Sequence, residues 1–225
     1  MKTIGIVGGI GPESTIAYYR WFIAAGHSAL LINSVEVKQL LDAMMRQDLP
    51  FVTDYLVDAV AVLAKAGASV GLIAANTPHI VFDDVQRRSS IPLVSIIEAT
   101  CAHVKSLGLR RVALMGTRYT MEGRFYPAAF EPAGIELVVP PPDDLSFVHD
   151  IYVMELLKNQ FLPETRRRLL QVIDRLIDDQ NVEAVILGGT ELPLVLTDAS
   201  HRRVPLLDTT RIHVDAAIAA VDRRG

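Results

Sequence analysis

Four clusters of glycines, hydroxyls and amides recur along this 225-residue chain, each directly after an apolar run. They are Gly8-Gly9-Ile10-Gly11-Pro12-Glu13-Ser14, Ala74-Ala75-Asn76-Thr77-Pro78-His79, Gly116-Thr117-Arg118-Tyr119-Thr120-Met121-Glu122-Gly123 and Gly188-Gly189-Thr190-Glu191-Leu192-Pro193. Backbone N–H groups at helix N-termini receive anions, and Asn and Thr side chains add oriented donors and acceptors. Combined, the clusters would make a receptor for a carboxylate-sized anion, with Gly9, Gly11, Asn76, Thr77, Thr117, Thr120 and Thr190 as candidate lining. Taken singly, each is a turn with a cap. Asn-Thr before a helix is an ordinary capping sequence, glycines serve tight turns, and a lone histidine such as His79 is more often a surface or capping residue than a catalyst. The first loop lacks G-x-G-x-x-G spacing, and no G-x-x-x-x-G-K-[ST] occurs, so neither nucleotide signature is present.

The elements that must position these clusters alternate between short β-branched runs and longer helical patterns, the signature of an α/β fold with parallel sheets. Strands are expected at 3–7, 30–37, 69–74, 93–96, 111–115, 136–139, 184–187 and 205–207. Pro12 and Pro78 suit first helical positions, which makes both neighbourhoods strand-to-helix junctions. In each half two such junctions lie roughly 70 residues apart, as expected of two similar lobes arising by duplication. The Pro140-Pro141-Pro142 run reads as a loop inside the second half rather than a linker. The boundaries drawn are residues 1–96 plus 208–225 for an N-terminal lobe and 97–207 for a C-terminal lobe, each a parallel-sheet sandwich, with the ligand cleft between them.

Composition narrows the function classes. The net charge of -4, spread over both signs, offers no basic stripe for a nucleic-acid backbone. Apolar runs such as 69–75 and 182–187 fall far short of the roughly 20 residues that span a bilayer, and no export signal is visible, so no membrane partner and a cytoplasmic location are expected. The single cysteine excludes an internal disulfide and a cysteine-based metal cluster, and no metal site is expected. Cys101 shares a helical apolar face with Ile97 and Val104 and reads as a packing residue.

Five segments in order resemble the aspartate/glutamate racemase family: 2–15, Asn76-Thr77-Pro78-His79, 116–123, Thr190-Glu191-Leu192-Pro193-Leu194 and Asp208-Thr209-Thr210-Arg211-Ile212-His213. The resemblance covers nearly the whole chain. It implies two lobes facing a cleft, a homodimer, and racemization of aspartate, glutamate or a close analogue without a cofactor. In that family one thiolate removes the α-proton from one face and a second thiol returns a proton from the other. The first family cysteine immediately precedes Asn-Thr, which puts it at Ala75; the second immediately precedes Thr-Glu, which puts it at Gly189. Neither residue can move a proton, and Cys101 sits mid-helix away from both strand ends.

Loss of one general acid or base costs on the order of 100- to 10,000-fold, so conventional two-cysteine catalysis is not expected. If the chain racemizes, His79, Glu191 and Glu13 are the nearest titratable groups by motif position. Arg46 and Lys158 lie where the family places the cations that read the side-chain carboxylate, although either can equally be a solvated surface charge. Two alternatives stand beside racemization: an acidic amino-acid or dicarboxylate binding protein that kept the receptor and lost the catalyst, and an enzyme of altered chemistry on the same scaffold.

Overall fold

The computed structural model describes residues 2–222. The chain divides into two units, Met1–Ala99 with Thr210–Gly225, and Thr100–Thr209. These divisions fall three and two residues beyond those drawn from the sequence, and the first of them lies within a helix, Ile96–Ser106.

The first unit carries β1 (Ile4–Gly8), α1 (Pro12–Ala24), β2 (Leu30–Ser34), α2 (Val37–Met45), α3 (Leu49–Lys65), β3 (Val70–Ile73), a 3-10 turn (Thr77–Val81), α4 (Phe82–Arg88), β4 (Leu93–Val94) and the start of α5 (Ile96–Ser106). The second carries the rest of α5, then β5 (Arg111–Gly116), α6 (Arg118–Glu122), α7 (Phe125–Phe130), β6 (Glu136–Val138), α8 (Pro142–Met154), α9 (Pro163–Gln180), β7 (Ala184–Gly188), α10 (Leu192–Val195), β8 (Ser200–His201) and β9 (Val204–Asp208). The final helix, α11 (Thr209–Asp222), returns to the first unit.

Strand order is β2-β1-β3-β4 in the first sheet and β6-β5-β7-β9-β8 in the second. Numbered within its own unit, the first sheet reads second-first-third-fourth and the second reads second-first-third-fifth-fourth, so the two orders coincide once the short edge strand β8 is set aside. The repeat suggested by junction spacing is therefore present as topology. All pairings are parallel except that of β8 with β9. Parallel strands are covered on both faces and read as continuous apolar runs, as β1, β3 and β7 do, with every residue buried. In the first unit Ile4, Ile6, Val70 and Leu72 pack with Tyr18 and Phe22 of α1 and with Val214 and Ala217 of α11. In the second, Leu169, Val172, Ile173 and Leu176 of α9 recur at helical spacing and join Val185, Leu187, Val148 and Tyr152 in one core.

One expectation needs correction, and one element carried no expectation. The strand expected over 30–37 stops at Ser34, because the Glu36 carboxylate accepts the Lys38 N–H at 3.1 Å and caps α2. The β8–β9 hairpin was not anticipated, since its turn lacks glycine. Arg202 (φ 49°) and Arg203 (φ 71°) both occupy the left-handed region, which a two-residue hairpin turn demands and which Asn-Gly usually supplies. Arg202 gains ion pairs with Asp174 and Asp178; among the described residues Arg203 makes none. Arg203→Gly is accordingly expected to stabilise the protein by about 0.5–1 kcal/mol, read as a higher urea midpoint at unchanged slope.

Candidate functional site

In a parallel sheet of this order, the chain leaves the first strand toward one edge and the third strand toward the other, which opens a crevice at their carboxyl ends; open α/β sheets bind ligands there. In the first unit that point lies between β1 and β3, and in the second between β5 and β7. All four sequence clusters sit at these ends.

At the end of β1, Gly9 (φ 82°) and Gly11 (φ 92°) adopt positive φ. A β-carbon on Gly9 would stand 2.4 Å from the Val35 carbonyl oxygen, so only glycine fits. The Gly9 N–H donates to Thr15 Oγ1 at 2.9 Å, and the Gly11 carbonyl accepts from the Ser14 hydroxyl at 2.7 Å. The loop is thus partly closed upon itself, and the Gly9 N–H that an anion would need is already committed. Its glycines shape the turn. Glu13 lies half-buried in the first turn of α1.

At the end of β3, Ala75 and Asn76 are buried and Thr77 half-buried. Asn76 makes no side-chain cap to the turn that follows, so the ordinary capping role is not the one it plays. His79 is fully engaged. Its Nε2 lies 3.2 Å from the Ile96 N–H and therefore accepts, which leaves Nδ1 to donate to the Ala75 carbonyl at 2.9 Å. The ring stacks on Phe82 at 4.9 Å and meets His213 edge-on at 6.1 Å. Burial, reinforced by His213, pushes its pKa down to about 3. A histidine held neutral with both nitrogens occupied has none to offer a reacting proton. This geometry speaks for a structural role, fixing the Ala75 carbonyl, against the catalytic role considered from sequence.

In the second unit Thr117 caps α6, its Oγ1 accepting the Thr120 N–H at 3.3 Å. Thr120 is fully buried, and its methyl lies 3.1–3.2 Å from where β-carbons on Gly116 and Gly188 would stand. The ends of β5 and β7 are therefore held close by glycine and threonine together.

The end of β7 holds a buried polar cluster. Thr190 and Glu191 are buried, at 3% and 2% exposure. The Thr190 hydroxyl donates to Glu191 Oε2 at 3.0 Å, and the Tyr152 hydroxyl from α8 donates to the same oxygen. Glu191 Oε1 is buried without a hydrogen-bond partner. Burial pushes the Glu191 carboxyl upward, partly offset by the two hydroxyls; burial and the Glu191 charge push the Tyr152 phenol well above its usual range. Tyr152 also explains the glycine beside it: a β-carbon on Gly189 would lie 2.3 Å from its ring. Sequence reading missed Tyr152, which carries no signal beyond being an aromatic on the apolar face of α8.

Arg46 ends α2, and Lys158 ends the 3-10 turn Leu156–Lys158. Both are exposed, and among the described residues neither forms an ion pair. Cys101 is buried, its thiol directed at the Ala129 carbonyl at 3.3 Å. A separate depression along α8 is lined by Asp143, Asp150 and Glu155 against a single cation, Arg168. Arg168 stacks over Phe147 at 3.9 Å. Its acidic balance opposes dicarboxylate binding there. Among the described residues no group of His, Cys, Asp and Glu could hold a metal ion, and no helix is long and apolar enough to cross a membrane.

Comparison with known proteins agrees with this arrangement. Residues 7–217 match the Asp/Glu/Hydantoin racemase family. The crystal structure of an aspartate racemase homologue from Pyrococcus horikoshii OT3 is 33% identical, covers 99% of this chain and 100% of its own, and superposes with a TM-score of 0.82. The broad specificity amino-acid racemase RacX of Bacillus subtilis (strain 168) is 22% identical over 218 residues, 92% of each chain. Glutamate racemase from Francisella tularensis subsp. tularensis SCHU S4, solved with D-glutamate, shares the fold at 18% identity, a TM-score of 0.73 and coverage of 99% of this chain and 82% of its own. With its strand-end clusters at the switch points of two like sheets, and with a match from residue 7 to residue 217, the chain belongs to the Asp/Glu/Hydantoin racemase family.

Proposed function

We propose that the chain receives a small acidic amino acid, aspartate, glutamate or a close analogue, at the carboxyl ends of its parallel strands, and that it is an amino-acid racemase-type isomerase whose chemistry does not run through a pair of thiols. The observation that supports this most is the coincidence of the family's strand-end pattern with the switch point of each sheet. Asn76, Thr77, Thr117, Thr120 and Thr190 stand at those ends, and Arg46 and Lys158 would read the second carboxylate by charge-assisted hydrogen bonds. The reading carries with it a cofactor-free, cytoplasmic homodimer, which sedimentation at several protein concentrations would check.

Calorimetric titration with L- and D-aspartate, both glutamates, malate and citrate tests the binding step. At least one amino dicarboxylate should bind, more weakly as salt rises. Arg46→Ala and Lys158→Ala should each weaken that binding by about tenfold to a hundredfold, as loss of a hydrogen bond between charged groups does. No heat from any of these compounds overturns the reading.

A binding protein without turnover is the second reading. It is favoured by one feature of the first unit: Ala75 has no proton to move, and the nearest histidine has both nitrogens occupied. Binding with no change at the α-carbon of any ligand would establish it.

A further inference from the structure

Helix α1 is apolar on both sides. Ser14, Tyr18 and Phe22, spaced four apart, form its buried face. Ile16, Tyr19 and Ile23, spaced three and four apart on the opposite side, are 41%, 48% and 41% exposed. A surface helix ordinarily turns charged residues to water, yet the only charges on α1 are Glu13 and Arg20. The Arg211 guanidinium, 4.5 Å over the Trp21 ring, marks the flank of α1 that faces α11. At about 3.6 residues per turn Tyr19 falls on the other flank, toward β2. That strand is the free edge of its sheet. Leu30 packs in the same core as Tyr18 and Phe22, so Ile32, two residues on, points to the α1 side as well, where it is 42% exposed. The Ile4 N–H donates to the Ala29 carbonyl and the Val35 N–H to the Gly8 carbonyl. Odd-numbered residues of β2 therefore bond to β1, while Ile32 and Ser34 turn their backbone groups outward. Nothing in Leu30-Leu31-Ile32-Asn33-Ser34 guards that edge: it has no Lys, no Pro and an unbulged register with β1.

We propose that the β2 edge and the outer face of α1 dock a second copy of this chain, β2 pairing antiparallel with the same strand of that copy about a two-fold axis at Ile32. This rests on the homodimer of the reading above and names its surface. A two-fold interface needs a patch complementary to itself. An edge strand turned about such an axis is its own antiparallel partner: the two Ile32 residues exchange N–H···O=C bonds, and Leu30 meets Ser34 on either side. The axis also sets both α1 helices on one face of the joined sheet, where Ile16, Tyr19 and Ile23 of each can cover those of the other. A nearly uncharged apolar face matches itself, whereas it offers a charged partner or an anionic lipid surface little to pair with. At roughly 200 Å² per large side chain, Ile16, Tyr19, Ile23 and Ile32 leave on the order of 300 Å² exposed. A stable interface takes about 800 Å² from each partner, somewhat more than half of it apolar. These four residues, with exposed Pro12 and Ala24 beside them, supply the greater part of that apolar share.

Sedimentation velocity of the full-length protein from about 1 to 100 µM should show a dimer. Ile32→Lys sets two like charges opposite each other at the axis, and Ile23→Glu does so between the helices; each should raise the dissociation constant at least about 100-fold. Val62→Glu, on the exposed side of α3, should leave it unchanged. Directly opposite residues of a hydrogen-bonded antiparallel pair have Cα atoms about 5.5 Å apart, within disulfide reach. Mild oxidation of Ile32→Cys should therefore give a covalent dimer, and that of Val62→Cys should not; Cys101 is buried and takes no part. A dimer that survives both Ile32→Lys and Ile23→Glu overturns the proposal and leaves a homodimer built on another face. Should the charged variants fail to fold, cross-linking decides, and a dimer with no covalent product from Ile32→Cys overturns the proposal. A chain that stays monomeric throughout removes this interface and the homodimer together, assigns the face to another occupant, a foreign strand or a lipid surface, and leaves ligand binding to the calorimetric test.

Discussion

Gly189→Cys should destabilise the protein by about 1–3 kcal/mol, the usual range for overpacking a core, and should not by itself install a usable thiol. The added β-carbon would stand 2.3 Å from Tyr152 Cε2 and 2.8 Å from its hydroxyl oxygen. The ring cannot swing away freely, because it is buried and its hydroxyl is tied to Glu191. Gly189 is not among the glycines at positive φ, so packing rather than backbone conformation sets this cost. Tyr152→Val in the same chain should recover part of the loss, giving a coupling of about 0.5–3 kcal/mol in a double-mutant cycle of urea midpoints. Additive effects would show that the ring does not hold the position. Ala75 already carries a β-carbon, so Ala75→Cys should cost less than Gly189→Cys in the same titrations. Reconstruction of a two-thiol site on this chain therefore requires Tyr152 to change as well.

Lowering the pH from 7 to 5 should remove about 4 kcal/mol of stability through two buried histidines. His79 has its pKa pushed down to about 3 and His213 to about 4, chiefly by burial, from 6.5. His213 accepts from the Tyr18 hydroxyl at 2.7 Å through Nδ1 and donates to the Val94 carbonyl at 2.8 Å through Nε2. Both rings are therefore native only when neutral. Above pH 6.5 the folded and unfolded chains carry the same charge on these groups, and their contribution is intact. As pH falls below 6.5 the unfolded chain takes up protons that the folded chain refuses, at about 1.4 kcal/mol per pH unit for each histidine. The loss levels off only near pH 4 for His213 and pH 3 for His79. Urea unfolding between pH 6 and pH 5 should therefore show a mean slope of about 2.4 kcal/mol per unit, and His79→Gln should roughly halve it. A slope unchanged by that substitution would place the pH dependence elsewhere, His149 being the next histidine with a lowered pKa.

Much of the architecture was legible in the sequence, for a local reason. Parallel strands buried on both faces must be apolar throughout, so β1, β3, β5 and β7 announced themselves, and the glycine, proline and hydroxyl residues after them marked where strand turns to helix. The order of those junctions carried the family and located Ala75 and Gly189. What failed locally was whatever a side chain decided: the Glu36 carboxylate that ends β2 early, and the Arg202-Arg203 turn, whose first residue is held by acids 24 and 28 residues away.

The chemistry of the site was decided by tertiary structure. From sequence, Gly9 offered an anion an N–H, His79 was a candidate base and Gly189 a mere vacancy. In the fold, Thr15 takes that N–H, the Ala75 carbonyl and the Ile96 N–H take both histidine nitrogens, and Tyr152, 37 residues before Gly189, takes the space of a side chain there. Residue type and spacing determine which groups reach a strand end. Whether a group has a free lone pair, a free donor or room for one more atom depends on partners brought in from other elements, and only packing assigns those.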